Sequence, residues 1–106
     1  MSKVNLTKIK QANDIISIGI GVIGWKSFGD FNGLLLTNTN SVHTFFVRFP
    51  MDLVFLDKNM HIIRLVSYLK PFRISPIVWQ AKYVLEMPTH SIEKFSIKLD
   101  DKINLV

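Results

Sequence analysis

Polar side chains able to do chemistry are concentrated in one stretch, Ser41 to Asp57 (SVHTFFVRFPMDLVFLD), where His43, Arg48, Asp52 and Asp57 lie inside a strongly apolar run. Histidine beside a carboxylate suits proton transfer or metal ligation, and arginine beside a carboxylate suits a bidentate ion pair. Each of these groups needs a partner, because an unpaired charge in apolar surroundings is costly. Arg48 and Asp52 flank Pro50, so the bend is expected to bring them together as a clamp on the Phe49–Pro50 corner. His43 with Asp52 or Asp57 is the set from which a hydrolase-like or metal-assisted site would be built. Ser41 and His43 share a strand face by alternation, but no nucleophile elbow or oxyanion-hole sequence surrounds them.

Other motifs carry less. His43, His61 and His90 lie far apart, with no paired spacing on one element, so a metal site would have to be assembled in space. Gly19 to Gly24 reads GIGVIG and matches the dinucleotide fingerprint letter for letter. That chemistry needs a helix opening at the last glycine and an acid about 20 residues on, for the ribose. The following WKSFGDFNG is a poor helix and residues 39–48 hold no acid, so no nucleotide is expected there.

The elements that must position these residues are mostly short strands. The expected order is an edge strand within residues 3–11, a strand at Gly33–Leu36, a ribbon of two strands (Val42–Val47 and Met51–Leu56), and a turn at Asp57-Lys58-Asn59. A return strand His61–Leu69 follows, then a loop over 70–78 required by Pro71 and Pro76. Trp79–Met87 is expected as a strand ended by Pro88, with Trp79, Ala81, Tyr83, Leu85 and Met87 on one face and Gln80, Lys82, Val84 and Glu86 on the other. A short helix over His90–Phe95 and a last strand Lys102–Leu105 complete the chain. The fold class is therefore mainly β, a small antiparallel sandwich or barrel-like domain with one or two short helices, and residues 1–106 are expected to form a single domain.

Composition narrows the function classes. Apolar residues make up 48% of the chain, which leaves room for a self-association or partner surface. The net charge is +5, but the bases are scattered and form no arm or recognition helix, which argues against nucleic acid. Cysteine is absent, so thiolate and disulfide chemistry are excluded. The start MSKVNLTKIKQ lacks the features of a signal peptide, and the apolar run Ile15–Trp25 is too short to span a bilayer, so a soluble, cytoplasmic protein is expected.

The central segment, with LVSYLKPFRISP, AKYVLEMP and the closing LDDKINL, resembles the domain-of-unknown-function family numbered 192, from about Asp14 to Leu105. The family's segment has the form S-[IV]-H-T-x-x-M-R-F-P-[IL]-D-x-V-F-L-D. The resemblance implies a small β-sandwich or barrel-like domain without an established activity, many of whose members are exported. Carried over by position, the family's polar signature falls on His43, Thr44, Arg48, Asp52, Asp57, Arg73 and Glu86, which are the candidate binding residues. The chain departs from the family where arginines that flank its G-L-L-G segment are replaced by residues such as Ile18 and Trp25, and where Asp100 stands in place of the final turn's glycine. A non-enzymatic domain binding a small molecule or protein partner, without a cofactor, is the favoured expectation over the His43-based enzyme.

Overall fold

The computed structural model describes residues 2–12, 22 and 25–106; the GIGVIG motif therefore lies outside the described residues, Val22 excepted. Seven strands and one short helix are described: β1 (Lys3–Leu6), β2 (Ile9–Ala12), β3 (Gly33–Thr37), β4 (Met51–Leu56), β5 (Ile62–Leu69), β6 (Tyr83–Pro88), α1 (Ser91–Lys94) and β7 (Lys102–Leu105). The mainly β reading holds. Strands β2-β3-β6-β4-β5 form one five-stranded sheet, and β1 and β7 form a second, two-stranded one. The pairs β3–β6, β6–β4 and β4–β5 are antiparallel, whereas β1–β7 and β2–β3 are parallel. Among the described residues the sheet does not close into a barrel.

The expected edge strand is split in two. Lys8 adopts a left-handed conformation (φ 57°), and the chain passes there from the small sheet to the large one. Asn32 fastens the crossing, its backbone N–H donating to the Lys8 carbonyl and its side-chain amide to that of Thr7. Gly33 opens β3 where no side chain fits, since a Cβ would stand 2.8 Å from the Glu86 carbonyl oxygen.

Both faces of the large sheet are covered. Leu34, Leu36, Met51, Leu53, Phe55 and Val84 face one cluster, which is closed by Val22, Phe28, Val42, Val47 and Ala81. Leu35, Val54, Leu56, Leu85 and Met87 face the other, closed by Leu6, Ile97 and Ile103. Every residue of β4 is buried, as expected of a strand with core on both sides. The alternation expected in β6 holds, with Val84 and Glu86 on one face and Leu85 and Met87 on the other, and both faces are core.

Two further expectations change. Residues 42–47 are not a sheet strand; His43 makes a single antiparallel bridge with Ile74, beside two prolines that have no N–H to extend a ladder. The sixth strand begins at Tyr83 rather than Trp79, because residues 78–81 close a turn through Ala81 N–H to the Val78 carbonyl (2.9 Å).

Candidate functional site

The clamp between Arg48 and Asp52 is not formed. Arg48 is exposed, and Asp52 is buried in β4 with both oxygens engaged by backbone amides. Its Oδ1 accepts from Tyr68 N–H and its Oδ2 from Ile92 N–H, each at 3.0 Å. The Tyr68 amide is available because β5 bulges opposite Asp52: Met51 pairs with Leu69 but Leu53 with Val66, and Tyr68 sits at φ 55°. Ile92 lies in the first turn of α1, whose N-cap His90 makes no side-chain cap bond. Asp52 therefore caps the helix from across the fold and fixes the bulge. These two donors, rather than Arg48, satisfy its charge.

Asp57 is likewise occupied. Its Oδ1 accepts from Asn59 N–H (2.8 Å) and His61 N–H (2.9 Å), which holds the β4–β5 turn in the manner expected of an Asx turn. The His61 Nδ1 lies 3.7 Å from the same oxygen. Neither carboxylate is paired with His43, which is exposed and lies against the Phe45 ring, with centroids 5.7 Å apart. No three His, Asp or Glu side chains cluster at metal-ligating distance among the described residues.

Glu86 is sunk in the first core cluster, in register with Leu34 and Leu53. Its Oε1 has no hydrogen-bond partner among the described residues, and burial pushes its carboxyl from 4.5 up to about 8. A groove of about 460 Å³ lies elsewhere, beside α1, lined by residues that include Tyr68, Thr89, His90 and Glu93. Thr89 Oγ1 is buried there without a partner among the described residues.

His43, Thr44 and Arg73 are the candidate residues that do come together. Residues 40–44 run antiparallel to residues 73–78 as an irregular ribbon lying over the first core cluster. Buried hydroxyls supply bonds that a regular ladder would take from the backbone. Thr44 N–H donates to the Arg73 carbonyl (2.8 Å), Thr44 Oγ1 accepts from Arg73 N–H (2.9 Å), and the same hydroxyl donates to the Lys70 carbonyl (2.6 Å). The Thr44 carbonyl accepts from Val47 N–H (3.2 Å) and Phe72 N–H (2.9 Å), so one residue fixes both a turn and a bend. Ser75 does the same further along: its Oγ accepts from Val42 N–H (2.9 Å), and its N–H donates to the Val42 carbonyl (2.8 Å). Ser75 was not among the sequence candidates; its signal was only a serine between Ile74 and Pro76.

With Val42, Thr44 and Ser75 buried, alternation leaves His43 and Ile74 outward, and Phe45 and Phe72 are exposed beside them. Phe45 and Phe72 stand ring to ring at 6.4 Å. Phe46, on the turn, is 73% exposed, Phe72 59%, Ile74 67%, and Trp79, just beyond the ribbon, 76%. This apolar platform is the feature that residue-by-residue reading for chemistry misses.

Residues 2–105 match the model of the family DUF192, described as Uncharacterized ACR, COG1430. The chain belongs to the DUF192 family. The match extends upstream of the resemblance read from Asp14. Over 63 residues the chain is 36% identical to the UPF0127 protein PF1050 of Pyrococcus furiosus, an alignment covering 59% of this chain and 53% of that protein. The chain thus spans about half the length of that curated relative. The fold is similar to that of a protein of unknown function from Novosphingobium aromaticivorans (TM-score 0.78, 17% identity, 89% of this chain and 71% of that one). It is also similar to that of a Sinorhizobium meliloti protein provisionally named a transcription regulator (TM-score 0.74, 18% identity, 89% of this chain and 78% of that one). At those identities the likeness concerns the DUF192 fold alone.

Proposed function

We propose that this DUF192 chain is a non-enzymatic binding module whose contact surface is the ribbon of residues 40–48 and 70–79. The observation that carries the reading is the outward apolar set His43, Phe45, Phe72 and Ile74, with exposed Phe46 on the adjoining turn, on a backbone fastened beneath by Thr44 and Ser75. Large exposed apolar side chains gathered on one face mark interaction sites more often than chance exposure. A fastened backbone keeps them in place before contact, which lowers the entropy lost on binding. In this reading Thr44 positions the surface, while His43, Arg48 and Arg73 contribute contacts at it. Asp52, Asp57 and Glu86 belong to the scaffold.

The alternative, a hydrolase-like or metal-assisted enzyme using His43 with Asp52 or Asp57, loses support from the engagement of both carboxylates with backbone amides. The test is site-specific photocrosslinking in the native host, with a photoreactive residue at Phe46 and a control at exposed Asn104 on the opposite side of the large sheet. Adducts at position 46 and not at 104 are expected. Hydrolysis of ester or phosphate substrates by the purified chain, lost in His43→Ala, would contradict the proposal.

A further inference from the structure

We infer that the surface this ribbon docks on is an anionic lipid bilayer, an inference that rests on the binding-module reading above. Three observations lead there. The first is where the aromatics stand. Phe46 (φ 67°) and Phe72 (φ 62°) both hold left-handed backbone conformations, which glycine or asparagine adopts at less cost than a bulky side chain. One is on a turn, the other in a bend, and both project into solvent. Stability alone favours another residue at each position, so each exposed ring is carried at a local backbone cost.

The second is local charge. Residues 31–51 and 58–85 contain no Asp or Glu, yet they carry Arg48, Lys58, Arg64, Lys70, Arg73 and Lys82. Arg48, Lys70 and Arg73 belong to the platform's own turns and are exposed. The chain's eight acids all lie outside these two segments, so both sides of the ribbon carry bases and no acid. Such a surface complements phosphate.

The third is the kind of apolar group. Ile74 and Ile77, aliphatic and exposed, gain from hydrocarbon but offer no ring on which a base stacks. Apart from His43, the apolar set itself carries no hydrogen-bonding side chain, and the donors beside it, Arg48, Lys70 and Arg73, are all cationic and suit phosphate. A bilayer requires no register. Apolar tips entering the headgroup boundary, exposed Trp79 beside them and basic residues against the phosphates form the pattern of an interfacial membrane contact.

The experiment is cosedimentation of the full chain with phosphatidylcholine vesicles, with and without phosphatidylglycerol. Binding to the phosphatidylglycerol vesicles is expected, weak or absent on pure phosphatidylcholine, and released as salt is raised. The double variant Phe46→Asn with Phe72→Asn should lower partitioning by about tenfold or more, since two buried rings are lost. Lys70→Glu with Arg73→Glu should abolish the preference for the anionic lipid. Circular dichroism establishes that both variants are folded. Equal binding to the two vesicle types, or none to either, overturns the inference. Poly(U) binding that depends on Phe72, or a protein adduct at position 46 without vesicle binding, would overturn the lipid assignment and leave the binding module standing. Absence of both vesicle binding and any adduct removes both.

Discussion

The centre of the large sheet and the ribbon lying over it are built by opposite arrangements. In β4 and β6 the surroundings are apolar and two carboxylates are placed inside them. In the ribbon the backbone is fastened by buried hydroxyls, and aromatic rings are placed outside. Residue type therefore misleads about purpose in both regions. Asp52 has the chemistry of a catalytic acid but serves as a strut, because both its oxygens are taken by the amides of Tyr68 and Ile92. Phe46 and Phe72 have the chemistry of core residues but stand in solvent. The two sets differ in whether a partner within the fold already satisfies the side chain.

The largest effect that can break this comparison is at Asp52. Asp52→Ala removes the acceptor of two charge-assisted hydrogen bonds and leaves both amides unpaired, which should destabilise the fold by about 3–5 kcal/mol in urea unfolding. A loss below about 1 kcal/mol would remove the strut and return Asp52 to the pool of ligand-binding groups.

Glu86 comes next and has a signature in pH. The folded chain holds this proton up to about pH 8, whereas an unperturbed glutamate releases it near 4.5. The stability contributed by the protonated carboxyl is complete below pH 4.5. It declines by about 1.4 kcal/mol per pH unit through that window and levels off above pH 8. By pH 7 the loss amounts to about 3 kcal/mol. Glu86→Gln does not titrate, so its unfolding free energy should lack this slope and exceed that of the parent most at pH 8 and above. Parallel pH profiles for the two proteins would show that the carboxyl is ionised in the core and has a partner.

Much of the scaffold was legible from sequence. The strand Met51–Leu56, the Asp57 turn, the proline-bearing loop, the short helix before Phe95 and the last strand were all expected, because each has its own local signal in turn residues or prolines. The family was legible from the central segment. The site was less so. Alternation places Glu86 on one face of β6 but cannot say that Val22, Phe28, Val42, Val47 and Ala81, from outside the strands, close a core over that face. Opposite charges across Pro50 suggested a clamp, but the amides that engage Asp52 come from Tyr68 and Ile92, one reached through a β-bulge and the other 40 residues along the chain. The platform was hidden for the opposite reason. His43, Phe45, Phe72 and Ile74 share a surface only once Thr44 and Ser75 have joined two loops, and neither hydroxyl advertises that role in the sequence.

The central claim is that the ribbon's aromatics are present for contact and not for the fold, and the most direct test is the stability of Phe46→Asn with Phe72→Asn. Both positions are left-handed and both rings are largely in solvent, so asparagine should relieve backbone strain while giving up little buried area. The account predicts a urea midpoint equal to or above that of the parent, with a free-energy change within about 1 kcal/mol. A loss comparable to that of Asp52→Ala would contradict it, and would make Phe46 and Phe72 part of the scaffold.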